Sequence, residues 1–147
     1  MKITFNTFKF PTVNVRVTND TDNNNTYYDT FMEYWECRYK MKEHFHLLMD
    51  LESLTIPNMG LCIDFIRRQR EMKKSPIQYL DYSVVVTNNI IVKNALAMIW
   101  NICPPLNTVY LVTEMSIGLV LLNIIKDPIF NVEYINAYIE MNNVTKI

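Results

Sequence analysis

Residues 45–74 read "FHLLMDLESLTIPNMGLCIDFIRRQREMKK". Phe45 to Leu51 is short and almost wholly apolar, as a strand covered on both faces reads. A second apolar run ends in Leu54-Thr55-Ile56, and Pro57-Asn58-Met59-Gly60 interrupts it. Pro57 suits the first turn of a helix, where its missing N–H costs nothing. From there the period becomes helical: Leu61, Cys62, Phe65 and Ile66 share one face. Arg67, Arg68, Arg70, Lys73 and Lys74 gather at the far end, where positive charge suits the helix dipole. A strand, a short turn and a helix make the repeating unit of an α/β fold. Such turns are where these folds often place working groups.

The unit recurs downstream. "YSVVVT" (82–87) reads as a buried strand, 89–102 as a very apolar helix stopped by Pro104-Pro105, "TVYLVT" (108–113) as another strand and 114–126 as a last clear helix. Upstream, Ile3 and Phe5, then Phe8 and Phe10, then Val13, Val15 and Val17 alternate with polar residues. That pattern predicts a hairpin with one buried face, broken at Pro11. Residues 19–25 form a polar loop. Thr26 with Asp29 resembles a capping box, opening a helix over 27–43 that buries Tyr28, Phe31, Trp35 and Tyr39. The expectation is a single α/β domain over 1–147. Its one mixed sheet has an N-terminal antiparallel hairpin followed by parallel strands with right-handed helical crossovers. Its core spans about residues 2–126, and a tail at 127–147 packs on the last helices.

The chain has 147 residues, half of them hydrophobic, which suits one domain with a real core. Its net charge of −1 gives no global electrostatic case for nucleic acid or an anionic membrane. No apolar stretch is long enough to span a bilayer, and the N-terminus lacks a signal-peptide core. Cys37, Cys62 and Cys103 are therefore expected to be reduced thiols of an intracellular protein. The Asn-x-Thr triplets at Asn19, Asn24 and Asn143 then carry no glycan. Only two glycines occur, while Asn, Ile and Tyr abound. That bias is what A/T-rich coding gives, as in some protists, some bacteria and many large DNA viruses.

In "LLMDLESLTIPNMGL", Asp50 ends a strand, Ile56 precedes a turn and Gly60-Leu61 opens a helix. With the element order β-β-α-β-α-β-α-β-α, this resembles the anti-sigma-factor-antagonist, or STAS, domain family. The resemblance in layout covers about residues 2–126. The family motif runs roughly Ile-Asp-Ser-Ser-Gly-Leu, and its regulatory phosphate goes on a turn serine. Here Pro57-Asn58-Met59 stands in place of Asp-Ser-Ser, so the resemblance implies a domain without the phospho-switch. What it leaves is the surface beside the turn, with which the family docks partner proteins. That makes Pro57, Asn58, Met59, Gly60 and Leu61 the candidate interaction residues. Asn58 and Met59 are expected to be exposed, offering a hydrogen bond and an adaptable apolar contact.

Other chemistries find less. A phosphate loop needs several small residues and a cation, and this turn has one glycine. His44-x-His46 lacks the further ligands of a zinc site. Cys62 and Cys103 have no base to activate them and read as buried small hydrophobes. The basic run at 67–74 reads as a solvated helix face. No catalytic set, cofactor or metal site is expected. The helices at 89–102 and 114–126 are apolar nearly all round, so something must cover their second sides. The tail is the first choice, with a second copy of the chain or a lipid as alternatives. The function expected is therefore a non-enzymatic protein–protein interaction domain. The alternatives are a lipid-binding domain, with its pocket between those two helices, or a virion or scaffold component of a large DNA virus.

Overall fold

The computed structural model describes residues 1–19 and 26–147. Residues 20–25 of the loop expected over 19–25 and the Thr26 side chain of the capping box lie outside the described residues. Strands β1 (Lys2–Lys9) and β2 (Thr12–Thr18) form the N-terminal hairpin. Then α1 (Thr26–Met41) leads to β3 (Phe45–Asp50), α2 (Met59–Met72) to β4 (Leu80–Val86), and α3 (Ile90–Ile102) to β5 (Thr108–Val112). Helices α4 (Met115–Lys126) and α5 (Val132–Met141) precede a two-residue strand, β6 (Thr145–Lys146). The fold is α/β, with one mixed sheet in the order β1-β2-β3-β4-β5-β6. Strands β2 to β5 are parallel, and the tail adds β6 antiparallel to β5.

The strand order decides where the helices go. Each crossover steps one strand in the same direction, so crossovers of one hand place their helices on one face. That face carries Val13, Val15, Leu47, Val85 and Val109, packed with Phe31 and Trp35 of α1, Leu61 of α2 and Val92 of α3. Helix α4 leads to an antiparallel strand and lies on the opposite face. There Leu121 and Leu122 pack on Leu48, Val84, Val86 and Val112. Gly118 permits that approach: a Cβ there would meet methyls of Val86, Val112 and Val84 at 3.2–3.3 Å. The pocket that the lipid-binding alternative requires between α3 and α4 has no place to form, because the sheet separates the two helices. Helix α5 covers part of α4, laying Ile135, Tyr138 and Ile139 on the second core, while Leu119 and Val120 stay exposed. It does not cover α3, whose Ile91, Met98 and Ile102 stay exposed.

Asparagine closes the helix starts. Asn58, Asn89 and Asn131 each accept a backbone N–H from the first turn of α2, α3 and α5. Helix α2 therefore begins at Met59, and Pro57 stands outside it, two residues later than proline preference alone predicts. At the other ends, Glu43 N–H bonds Arg38 O and Val144 N–H bonds Ile139 O. Lys42 and Asn143 there take the left-handed conformation usually given to glycine, with φ of 57° and 52°.

The first core is not fully packed. A cavity of about 130 Å³ remains between the sheet and α1–α3.

Candidate functional site

The β3–α2 turn sits at the C-terminal end of the parallel strands and is tied down from a distance. Asn19, just past β2, uses both ends of its amide. Its Nδ2 donates to Ser53 O (3.1 Å) and Thr55 Oγ1 (2.8 Å), and its Oδ1 accepts from Thr55 N (3.0 Å) and Ile56 N (3.3 Å). Asp50 adds a second tie. Its Oδ1 accepts from Glu52 N at 3.0 Å, and its Oδ2 takes Arg16 Nε of the neighbouring strand at 3.0 Å. The turn is thus a shaped, fixed surface, and Asn19 is a positioning residue that sequence reading passed over as loop.

The candidate residues divide into outward and inward sets. Met59 and Gly60 are exposed and Pro57 half-buried. Asn58 is exposed, yet its Oδ1 accepts from Leu61 N at 3.1 Å. Its acceptor serves as the helix cap, so the hydrogen bond expected toward a partner falls to its Nδ2. Leu61 is 7% exposed and belongs to the core, so it cannot form part of a contact surface. Around the turn the chain exposes apolar residues that were not singled out: Ile56 (73%), Ile63 (65%), and Ile90 (66%) and Ile91 at the neighbouring start of α3. Strands β3 and β4 are adjacent and parallel, so these groups share one end of the sheet.

The basic run of α2 is largely neutralised. Arg68 reaches Asp64 (2.9 Å), Asp29 (3.1 Å) and Glu36 (3.3 Å). Arg67 pairs with Asp64 and Lys74 with Glu71. Burial pushes the Asp64 carboxyl up, but bonds from Arg67, Tyr28 and Arg68 outweigh it and hold it below its usual range. Arg68 ties α2 to α1, while Arg70 and Lys73 of the run make no ion pair among the described residues. Cys62 and Cys103 are buried between α2 and α3 without a disulfide, and burial raises the Cys62 thiol.

The two histidines part company. His44 is exposed and pairs with Asp81 at 2.7 Å. His46 is buried, stacked on Tyr82 with centroids 4.7 Å apart, and its Nε2 lies 2.5 Å from Thr12 Oγ1. Lys126 donates to that same oxygen at 2.9 Å. Thr12 Oγ1 thus bridges the ammonium and the imidazole, and the direction of its bond to Nε2 follows the His46 tautomer. Burial and the Lys126 charge agree, lowering His46 to about 4. The string looks like a hydroxyl beside a base, but Thr12 is 1% exposed, so no substrate atom reaches it.

Next to it, α4 covers Leu48 of β3 on the second face of the sheet but leaves Thr4, Asn6 and Arg16 exposed. A shallow groove of about 460 Å³ opens there, lined by Thr4, Asn6, Asn14, Arg16 and Asp50, with Met115 of α4 at its edge. These polar positions are the outward half of the N-terminal alternation. Among the described residues no group of three metal-ligating side chains converges, and no helix is long and apolar enough to cross a membrane. No family model matches this chain, and neither a curated protein nor a solved structure matches it.

Proposed function

We propose that this chain is a non-enzymatic interaction domain, STAS-like in layout. It docks a protein partner, or a second copy of itself, at the C-terminal ends of β3 and β4. The observation that carries this reading is the exposure of Ile56, Ile63, Ile90 and Ile91 beside Met59 on two adjacent strand-to-helix connections. Isolated exposed isoleucines are ordinary, but a cluster on a fixed turn is what a contact surface needs. Asn19 and the two asparagine caps hold the backbone under it, so little ordering entropy is lost on binding. The missing turn serine supports a surface without phosphate control, leaving Thr55, whose hydroxyl already accepts from Asn19, as the nearest hydroxyl.

The test is Ile56→Ser with Ile90→Ser. Both side chains are mostly exposed, so stability should change by less than about 0.5 kcal/mol. Sedimentation of the pure protein and cross-linking in its native cell then report self-association and partner capture. The reading predicts that the double variant loses a contact the wild type makes. Unchanged sedimentation and an unchanged cross-linked set would refute it.

A further inference from the structure

The cavity under α1–α3 has one feature that packing does not explain. Leu47, Val85 and Val109 form its floor, and Phe65, Leu96 and Ile99 part of its roof. Gln69 of α2 also lines it. Gln69 is 6% exposed, and its Nε2, like Nε1 of Trp35 on the same wall, has no hydrogen-bond partner among the described residues. The rest of that buried helix face is Leu61, Cys62, Ile66 and Met72, where an amide is out of place. A buried N–H left unmet is destabilising, and native structures rarely leave one without a reason. Void and orphan donor therefore stand in one place, and each is relieved by the same event.

Water does not relieve both. A buried water needs two to four polar partners; beside Gln69 the wall offers Ser83 and Asn107, and the apolar remainder of the void stays dry. No charged side chain lines the cavity, so an ionic guest would be stranded. We propose that the cavity is a binding site for a small neutral apolar molecule carrying one hydrogen-bond acceptor. The apolar body fills the void, and the acceptor takes the Gln69 amide. A cavity of this volume suits about six to eight heavy atoms, since one of about 150 Å³ holds benzene. Half-buried Phe65, Leu96 and Trp100 lie along the α2–α3 side, where parting those helices would admit it. This site is separate from the docking surface and does not depend on it.

The probes are cyclohexanone and methylenecyclohexane, which share shape and differ in the acceptor. Titration of the full chain followed by NMR should show saturable one-to-one binding of both. In the wild type, the ketone alone should shift the Gln69 side-chain amide protons downfield. Gln69→Leu should lower the ketone-to-alkene affinity ratio about three- to tenfold, the worth of one hydrogen bond. Ala95→Leu, which adds bulk at the cavity wall, should weaken both probes at least about tenfold without lowering the melting temperature. Absence of saturable binding would overturn the site. Equal amide shifts with the two probes, or an unchanged ratio in Gln69→Leu, would overturn the acceptor assignment. The wild-type amide shifts decide the matter even if a variant fails to fold.

Discussion

Asn19 offers the sharpest test of how the turn is held. Asn19→Ala deletes the two bonds donated by Nδ2 and the two accepted by Oδ1. At about 0.5–1.5 kcal/mol net for each bond, a simple sum would give about 2–6 kcal/mol. That sum is too large. All four bonds depend on one exposed side chain, water replaces part of what is lost, and the 3.3 Å bond to Ile56 N is weak. A loss of about 1–2 kcal/mol is expected, seen as a lower midpoint in chemical denaturation at unchanged slope. Local opening should respond more: the Thr55 and Ile56 amides lose their acceptor and should exchange about tenfold faster. Asn19→Asp keeps the acceptor and loses the donors. It should therefore protect those two amides while still losing the bonds to Ser53 O and Thr55 Oγ1. If Asn19→Ala exchanges at Thr55 and Ile56 like the wild type, the turn is held by something else and the clamp is refuted.

Trp35 is 2% exposed and meets Phe31, Phe45 and Phe65 at 5.8–6.1 Å, so Trp35→Ala should cost about 3–5 kcal/mol in equilibrium unfolding. A loss below about 1 kcal/mol would take the indole out of the core. His46 has a folded pKa of about 4 against an ordinary 6.5. The unfolded chain therefore takes up the proton first as the pH falls, and stability drops between about pH 6.5 and 4. The drop is at most about 3 kcal/mol, because the exposed Lys126 charge is screened. His46→Gln should flatten that part of the pH–stability curve, and an unchanged slope would assign it to other groups. Lys42→Gly should raise stability by about 0.5–1 kcal/mol, since φ of 57° suits glycine better than lysine. A lower melting temperature would contradict it.

The elements were readable because their signals are local. An apolar run marks β3, period two marks the hairpin, and a helical stripe marks the inner face of α2, where Leu61, Cys62 and Ile66 are buried as expected. Where the signal was non-local the reading stopped. Nothing in "MSIGLVLLNII" says on which face of the sheet α4 lies; the strand order and the antiparallel β6 decide that. β6 is two residues long, too short to show a period. The Asn19 clamp joins residues more than thirty apart in sequence. Two misses had usable signals. Asn58 stands directly before the helical period, where asparagine is a preferred cap, but Pro57 drew the boundary early. His46, Leu48 and Asp50 alternate with the apolar residues of β3, which places the imidazole opposite the Trp35 core and beside Thr12.

Composition and architecture meet in the asparagines. With two glycines in 147 residues, the chain has little access to the residue that normally frees tight backbone turns. It uses asparagine instead, whose short amide bonds the local backbone and tolerates left-handed geometry. Asn58, Asn89 and Asn131 start helices, Asn143 ends one, and Asn19 fastens a turn. A coding bias can supply asparagines at random, but it cannot aim their side chains at unmet N–H groups. Three of these five, Asn19, Asn58 and Asn89, sit under the exposed isoleucines at one end of the sheet. Rigidity is thus concentrated beneath the apolar surface. A protein whose only need there was to close a turn would gain nothing from exposing Ile56, Ile63 and Ile90 on top of it. Fixed backbone below and uncovered apolar side chains above are the two things the proposed docking surface requires of this turn.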